Sequence, residues 1–586
     1  MTNIIRGVRH PLTFYHPPRC LMITMAISLR TITVLTLLVF IGGCVAPAVP
    51  AFPDQPGERA EAVRSEVAVQ VQVSPLQPGS PCSDTFVAHD LPHTTQAALP
   101  VPRLFDSNGS GLAINDLDGD GDEDIVLGDL AGPLAILWNE GGLTFTRQEL
   151  GIFRRARSIA LVDVDGDGAL DITATNGVAA PAVFRNMGDR TFSLLPLPGM
   201  NQPAYAMNWA DLDADGDLDL VTGSYDAGRQ VESGSNYLFD APAGVNVYLQ
   251  QDGSWQRQQL AETAQALAIS LWDLNGDDRL DIWVGNDFDE FDQVWLQGAD
   301  GGWEPADFFE DTTHSTMSID RGDLDGDGST EYFATDMKPS TIGPQVMAQW
   351  VPLMNAAEKT RLRDDPQLSE NVLQSWRGDR FVNEGYSRKI DATGWSWSGK
   401  FGDLDTDGDL DLYVVNGMIA GDLLDYLPGG ELVEENQALR NDGRGQFLPA
   451  AEWGLGSTRS GRSMSMADLD GDGDLDVVVN NLNSPAQLFE NRLCAAGTAL
   501  TLDLRWPGPA NPYALGAVVT LETDRGTLVR DVRAVSGYLS GDATQLHFGI
   551  PAGAMLEELA VRWPDGATSV VDSPAAGHHL TITRSQ

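Results

Sequence analysis

The sequence predicts an all-β protein, a seven-bladed β-propeller followed by a small C-terminal β domain, from three observations. An acidic motif of the form D-x-D-x-D-G-x-x-D recurs seven times in the 586 residues, once with its glycine replaced. A short apolar run such as DIVLG or DLVTG follows each copy, and such runs are typical of buried strands. After most copies comes an apolar pair, a polar turn and an aromatic residue, as in LWNEGGLTF, which indicates a hairpin. About four strands in ~45 residues is typical of a propeller blade.

The composition agrees with this fold and excludes one class of function. The 61 glycines and 33 prolines predict many turns, which favour β-structure over a helical bundle. The chain has 84 acidic and 37 basic residues, for a net charge of −47. A general nucleic-acid binder is excluded, because phosphate contacts need a basic surface.

Residues 1–43 are predicted to be a signal peptide. They contain four arginines and no acidic residue, and the apolar run TITVLTLLVFI precedes IGGC. About eleven apolar residues suit a signal-peptide core and are short for a membrane span. The small residues before Cys44 resemble a bacterial lipobox, so we expect Cys44 to be lipidated after export and to anchor the chain at the outer membrane or cell surface. A plain secretory signal and a short anchor are the alternatives. Residues 44–81, rich in Pro, Ala, Gln and Val, predict a flexible tether.

The acidic motifs predict structural calcium sites. Ca²⁺ takes six to eight oxygen ligands, and carboxylates at positions 1, 3, 5 and 9 together with the carbonyl of position 7 can surround one ion. Glycine at position 6 permits the left-handed turn that closes the loop. Up to seven Ca²⁺ ions are therefore expected, since uncompensated carboxylate clusters repel each other. In order, the predicted ligands are Asp116, Asp118, Asp120, Asp122 and Asp124; Asp163, Asp165, Asp167, Ala169 and Asp171; Asp211, Asp213, Asp215, Asp217 and Asp219; Asp273, Asn275, Asp277, Arg279 and Asp281; Asp323, Asp325, Asp327, Ser329 and Glu331; Asp403, Asp405, Asp407, Asp409 and Asp411; and Asp468, Asp470, Asp472, Asp474 and Asp476.

The loops differ from EF-hands and from one another. An EF-hand loop carries a bidentate glutamate at position 12 between two helices, whereas position 12 is never acidic here and β runs follow. The fourth loop has Asn275 at position 3 and Asp278 in place of glycine, so we expect a weak or empty site there. A separate acidic segment, GNDFDEFD (285–292), predicts a solvated loop, with an extra cation site on the opposite face as the alternative.

The propeller is expected to span residues 82–494, with a partly helical insertion at about 337–393. The last repeat has no returning strand, and TFVAHDL (85–91) could supply it from the N-terminal side. Closing the ring in this way would bring Cys82 and Cys494 together, which predicts a disulfide between them, with two free thiols as the alternative.

The repeats resemble FG-GAP/VCBS repeats, the calcium-loop blades of integrin α-subunit heads and many secreted bacterial proteins. GWSWSGKFGDLDTDGDLDLYVVNG, SGYLSGDATQLHFGI and VRWPDG also resemble the cartilage acidic protein family, which joins such a propeller to an ASPIC/UnbV domain. The resemblance implies an integrin α-head-like, calcium-binding extracellular protein, with an ASPIC/UnbV domain at residues 495–586.

Two functions follow as alternatives. The first is a binding or adhesion module at the cell surface, with a protein or glycan ligand and no enzymatic activity. The second is a polysaccharide lyase or hydrolase with a pocket on one propeller face. The sequence contains no HExxH motif, no GxSxG motif and no glycine-rich phosphate loop, so we favour the binding module.

Overall fold

The computed structural model describes residues 66–97, 99–233, 242–251, 253–357, 365–378, 380–494 and 497–585. The predicted signal peptide, Cys44 and the first part of the predicted tether lie outside these ranges. Within them, no helix combines the length and apolar character needed to cross a bilayer.

Each of the seven repeats is built on four antiparallel strands, here numbered sheets 1 to 7 in repeat order, and short extra strands extend sheets 1 and 6. This confirms the predicted all-β propeller architecture. The strands are Leu112–Asn115, Asp124–Leu127, Pro133–Asn139 and Phe145–Arg154 in sheet 1; Ile159–Val162, Asp171–Ala174, Ala182–Asn186 and Phe192–Leu195 in sheet 2; Ala206–Ala210, Asp219–Gly223, Val245–Gln251 and Ser254–Ala261 in sheet 3; Ala266–Trp272, Asp281–Asn286, Gln293–Gln297 and Trp303–Ala306 in sheet 4; Ser318–Gly322, Glu331–Thr335, Val372–Trp376 and Phe381–Asn383 in sheet 5; Gly394–Gly402, Asp411–Asn416, Gln437–Asn441 and Phe447–Pro449 in sheet 6; and Gly461–Ala467, Asp476–Asn481, Pro485–Glu490 and Val87–Thr94 in sheet 7.

The second strand of each sheet is buried along its whole length, as in Asp124–Leu127 and Asp411–Asn416. Both of its faces pack against neighbouring sheets, which explains why these runs are continuously apolar rather than alternating. The acidic residue at position 9 of each loop begins this strand. The loop therefore joins the first two strands of each sheet at one end.

The sheets form a ring through their first strands. The first strands of neighbouring sheets contact each other between sheets 1 and 2, 3 and 4, 4 and 5, 5 and 6, 6 and 7, and 7 and 1. Sheets 2 and 3 are joined by the hydroxyl of Thr175, which donates to the carbonyl of Tyr205 at 2.6 Å. The ring is thus continuous.

The chain closes the ring with its N-terminal side. Val87–Thr94 pairs antiparallel with Pro485–Glu490 as the outer strand of sheet 7. A disulfide joins Cys82 and Cys494 beside this pair. The outer strand and the cysteine pair are those that the sequence predicts from ring closure.

The insertion in sheet 5 is shorter than predicted. It lies between Glu331–Thr335 and Val372–Trp376, since residues 372–383 form the outer hairpin of the sheet rather than part of an insertion. The sequence VLQSWRGDRF follows the recurring hairpin pattern of an apolar pair, a polar turn and an aromatic residue, so the predicted insertion extended too far. Remaining short elements are the helices Asp226–Ser233, Pro344–Ala357 and Gly385–Arg388, the 3-10 turns Asp106–Asn108, Pro428–Gly430 and Ala451–Trp453, and the strand pairs Thr312–Thr313 with Gln367–Leu368, Met418–Ile419 with Glu431–Leu432, and Met337–Lys338 with the start of Gly394–Gly402.

The C-terminal region forms two four-stranded sheets around one core. Their buried leucines, valines and Trp563 share this core with Trp209 and Trp255 of sheet 3. The strands, in spatial order, are Val69–Pro75, His578–Arg584, Thr498–Arg505 and Leu546–Ile550 in one sheet, and Gly526–Asp531, Val518–Thr523, Leu556–Arg562 and Thr568–Asp572 in the other.

The prediction of a flexible tether over residues 44–81 is wrong for its last part. Val69–Pro75 is an edge strand that pairs antiparallel with His578–Arg584 along seven residues. Valines alternate with other residues from Val67 to Val73, a period that favours a strand. Val67 and Val69 pack against the C-terminal core, so residues 67–75 belong to the folded domain.

A segment of the C-terminal domain enters the ring, which we call the central segment (residues 535–542). Within it, Ser540–Gly541 pairs parallel with Leu112–Ala113 of sheet 1. Tyr538 is fully buried, and its hydroxyl lies 3.1 Å from that of Tyr205 and 2.9 Å from the carbonyl of Asn108. The C-terminal domain is therefore not confined to one side of the propeller.

Candidate metal sites

The position-1 carboxylate organises the backbone of each acidic loop. In the first loop its two oxygens accept the N–H groups of Gly119 at 2.8 Å and Gly121 at 3.0 Å. The second loop repeats the pattern, with N–H groups of Asp167 and Gly168 bonded to Asp163. Carboxylates with two fixed hydrogen bonds keep their remaining lone pairs in one direction, as a metal ligand needs.

The position-9 carboxylate ties the loop to its sheet. In all seven loops one of its oxygens accepts the N–H of position 2, at 2.8–3.2 Å. In six loops its second oxygen accepts an N–H from the third strand, as Asp171 does from Asn186 at 2.8 Å. The fifth loop lacks this second bond among the described contacts. Glu331 stands there, and its Oε1 has no hydrogen-bond partner.

The oxygens of positions 1, 3 and 9 converge. In at least five loops, one oxygen from each of these three residues lies within 4.8 Å of the other two. Position 5 takes a different role, because its carboxylate accepts the N–H of position 7 in every loop, as Asp120 does from Asp122 at 3.0 Å. The predicted carbonyl ligands at position 7 stay a prediction. The named groups are Asp116, Asp118 and Asp124; Asp163, Asp165 and Asp171; Asp211, Asp213 and Asp219; Asp323, Asp325 and Glu331; and Asp403, Asp405 and Asp411.

These carboxylates are buried without enough positive charge. Burial, with the neighbouring carboxylates adding to it, raises the pKa of Asp124 and Asp219 to about 8 and that of Asp171 to about 7. The same causes raise the pKa of Asp403 and Asp468 to about 8. A bound cation would offset the repulsion between several carboxylates in one low-dielectric site.

Unsatisfied oxygens concentrate in the same loops. Among the described residues, buried carboxylate oxygens with no hydrogen-bond partner include those of Asp217, Asp325, Glu331, Asp405, Asp468, Asp470 and Asp474. Buried polar atoms normally have partners. Hard oxygen ligands that converge in this way fit Ca²⁺.

The fourth loop differs, as its sequence predicts. Asp278 takes the left-handed conformation (φ 64°) that glycine takes elsewhere. Asn275 donates to Asp277 at 3.0 Å, and the guanidinium of Arg279 forms an ion pair with the same carboxylate. An arginine therefore already compensates one of the loop's carboxylates.

Arginines also reach four other loops from outside the motif, and in the sixth loop Arg440 lies 3.3 Å from Asp405. Arg185 contacts Asp165 at 2.6 Å and Asp167 at 2.8 Å. Arg190 contacts Asp118 at 2.7 Å, and Arg388 contacts Asp325 at 2.7 Å. Among the described residues, the third and seventh loops have no ion pair of this kind, so their carboxylates have no arginine that competes with a metal ion.

An amide residue that the sequence analysis missed links successive loops. In five of the seven sheets, the first residue of the polar hairpin turn donates from its side chain to the position-2 carbonyl of the preceding loop. Asn186 donates to Leu117 at 2.7 Å, Gln297 to Leu212 at 2.6 Å and Asn441 to Leu324 at 2.8 Å. Asn139 and Asn491 do the same across sheets 7 and 1 and sheets 6 and 7. The recurring Asn or Gln of WNEGG, FRNMG and LRNDG was the available signal.

The acidic segment 285–292 is not the solvated loop that was predicted. Asp287 accepts a hydrogen bond from the Tyr225 hydroxyl at 2.6 Å and is buried. Asp292 accepts from Trp283 at 3.0 Å, and burial raises its pKa to about 7. Alternating Asp and Phe in sequence concealed that some of the carboxylates turn inward.

Two family models match parts of the chain. One, described as ASPIC and UnbV, matches residues 504–586. The other, described as an FG-GAP-like repeat, matches residues 116–174 and 424–479. The matched repeats include the first two loops and the last loop.

A curated relative and two solved structures are also similar. Cartilage acidic protein 1 of Xenopus tropicalis is 21% identical over 302 residues, which cover 49% of this chain and 41% of that protein. A crystal structure of BBS1N in complex with ARL6DN, soaked with mercury, matches 70% of this chain and 98% of its own with a TM-score of 0.39 and 10% identity. The lead-soaked form matches 70% of this chain and 97% of its own, with a TM-score of 0.38 and 11% identity. The aligned part is thus less than half of the curated relative.

Proposed function

We propose that this chain, an FG-GAP/ASPIC-UnbV protein, is a calcium-stabilised extracellular binding module of the adhesion type. The observation that carries the proposal is the set of orphaned, convergent carboxylate oxygens in the loops. Calcium suits them because the ligands are all oxygens, and neither histidine nor cysteine takes part in the named groups. When bound, the ions neutralise the clustered carboxylates and hold the loops in place.

Calcium in this proposal acts on the fold rather than on a reaction. Each loop starts the second, fully buried strand of its sheet, and the hairpin amides link five of the seven pairs of neighbouring loops. A metal that fixes one loop thereby fixes the position of its neighbour. The result is a rigid ring that presents its surfaces to a protein or glycan partner. Enzymatic activity is not part of the proposal.

We place the protein outside the cytoplasm, anchored by a lipid at Cys44 to the outer membrane or cell surface. The Cys82–Cys494 disulfide supports this, because stable disulfides are typical of oxidising compartments. The predicted signal peptide would supply the export step.

Calcium titration of chelator-treated protein tests the metal part of the proposal. We expect several Ca²⁺ per chain by native mass spectrometry and calorimetry, and a clear rise of the melting temperature with calcium. Magnesium at the same concentration is the control, and it should stabilise much less. The proposal would be refuted if the chain binds no calcium, or if calcium does not change its melting temperature.

A second experiment tests binding against catalysis. The calcium-loaded chain is applied to arrays of glycans and envelope proteins, and soluble products are assayed. Retention without release of products supports a binding module. Cleavage of a polysaccharide would instead make the protein a lyase or hydrolase.

A further inference from the structure

The first acidic loop departs from the other six at two positions. Asn115 precedes its first aspartate, and Glu123 occupies position 8. The other repeats place small or apolar residues at the first of these positions and, with one exception, leucine at the second. The counterparts of Asn115 are Val162, Ala210, Trp272, Gly322, Gly402 and Ala467, and those of Glu123 are Leu170, Leu218, Leu280, Thr330, Leu410 and Leu475. The fold itself therefore does not require a polar residue at either position.

Both residues are buried, and each keeps an atom without a partner. Asn115 is 2% exposed, and its Oδ1 accepts from Thr544 at 3.0 Å, while its Nδ2 donates to no group in the described chain. Glu123 is 5% exposed, and its Oε2 accepts no hydrogen bond there. Its nearest charged neighbours include Asp503 and Asp468, which are themselves acidic. A buried donor or acceptor without a hydrogen-bond partner lowers the stability of the folded protein. Leucine or alanine at the same position would carry no such cost.

The two residues line the same cavity. It has a volume of about 760 Å³ and lies between the first, second and seventh loops and the C-terminal domain. Its other walls carry fixed polar groups. His579 is held by Thr501 at 3.1 Å, and the guanidinium of Arg505 lies 4.8 Å from the centre of the Tyr513 ring. The volume is that of a small-ligand site.

The unpartnered atoms define the ligand chemistry. The Asn115 amide needs an acceptor. The Glu123 carboxyl group accepts a hydrogen bond when charged and can donate one when protonated, and a hydroxyl group can serve as partner in every case. A metal ion cannot accept from an N–H group. An anion would be repelled by Asp503, and the two arginines that line the cavity, Arg190 and Arg505, already pair with Asp118 and Asp503. We propose that this cavity binds a neutral oligosaccharide, whose hydroxyl groups contact Asn115 and Glu123. The inference rests on the proposed binding function and names the ligand class for it.

The repeat supplies the test variant. Glu123→Leu installs the residue that five other loops already carry, so the variant should fold, bind calcium with unchanged stoichiometry and melt at the same or a higher temperature. Asn115→Ala does the same for the amide position, following the alanines of the third and seventh repeats. Glu149→Leu is the control, since Glu149 lies on the outer strand of sheet 1 and is exposed.

The full chain with calcium is screened on an array of neutral oligosaccharides of two to six sugars, and the strongest one is titrated by calorimetry. We expect Glu123→Leu and Asn115→Ala each to weaken binding at least about tenfold and Glu149→Leu to leave it unchanged. If Glu123→Leu binds the sugar as well as the parent, or if the chain binds an envelope protein and no neutral oligosaccharide, the inference fails and the binding function stands. If the chain binds neither, both fail.

Discussion

Position 3 of the loops carries a charged ligand in one loop and a neutral amide in another. The third loop has Asp213 there with no arginine on its cluster, and the fourth has Asn275 beside the Asp277–Arg279 pair. The fourth loop nevertheless keeps its fold, so asparagine at this position is structurally tolerated. Ligand charge should therefore be separable from loop folding.

We expect Asp213→Asn to lower the calcium affinity of the third loop by at least about tenfold, since a neutral amide replaces a charged ligand. Calcium titration with native mass spectrometry measures the loss as one fewer ion at limiting calcium. Ser254→Ala, at the tip of the outer hairpin of the same sheet, is the control. An unchanged stoichiometry and affinity would show that position 3 is not a ligand.

The raised pKa values give the calcium-free protein a defined pH dependence. The loop carboxylates bind protons in the folded chain up to pH values of about 7 or 8, as for Asp171 and Asp219, whereas unfolded aspartates ionise near pH 4. Between these values the folded state holds more protons, so its stability falls as the pH rises. The melting temperature of chelator-treated protein should therefore be highest near pH 4 to 5 and decline towards pH 8. Saturating calcium should remove or reverse this decline, and a chelated protein that is most stable at pH 8 would contradict it.

At the scale of elements, the hairpin amide joins five of the seven pairs of neighbouring loops. Asn186 donates to Leu117 of the first loop at 2.7 Å and to Leu170 of its own loop at 3.2 Å. Gln250 holds the same position in sheet 3, but its side chain bonds to Asp217 of its own loop. The two residues form a natural comparison.

We expect Asn186→Leu to destabilise the calcium-loaded protein by about 1–3 kcal/mol, because two buried carbonyls lose their donors. Gln250→Leu should cost less, since no link between sheets is broken. Chemical denaturation in calcium compares the two. If both variants lose the same free energy of unfolding, the hydrogen bond from Asn186 to the neighbouring loop does not stabilise the protein.

The sequence predicts elements well where the repeat is regular and poorly where partners come from far away in the chain. Seven acidic motifs and their apolar runs were enough to place the first three strands of the sheets, because loop, strand and hairpin are local patterns. Ring closure by residues 85–91 and the Cys82–Cys494 pair followed from a missing strand. Val69–Pro75 was missed because its partner, His578–Arg584, lies at the other end of the chain. The hairpin amides were missed because their acceptors lie in the preceding repeat.

At the scale of the whole molecule, the central segment makes the propeller and the C-terminal domain depend on each other. Arg533 lies 2.7 Å from Asp320 of sheet 5, a carboxylate with no exposure. Lys400 of sheet 6 pairs with Asp542, and together with Arg533 it holds the pKa of this buried carboxyl below its usual value despite burial. Arg321 pairs with Asp531 at 2.5 Å. These buried pairs join two sheets of the ring to one domain, and a charge left alone there would be costly.

This arrangement predicts that the two parts unfold together. Tyr538 is fully buried between Trp397 and Tyr205, with ring centres of Trp397 and Tyr538 5.2 Å apart. Tyr538→Ala should therefore destabilise the protein by about 3–5 kcal/mol through the cavity and the lost hydrogen bonds. Tyr386→Ala, at a tyrosine that is 79% exposed, should have little effect. Calorimetry in calcium should give one unfolding transition for the parent and one, at lower temperature, for Tyr538→Ala. A single transition is expected because the propeller and the C-terminal domain each lose native contacts when the other unfolds. Two separated transitions in the parent would show that the C-terminal domain folds independently and that the central segment only occupies the ring.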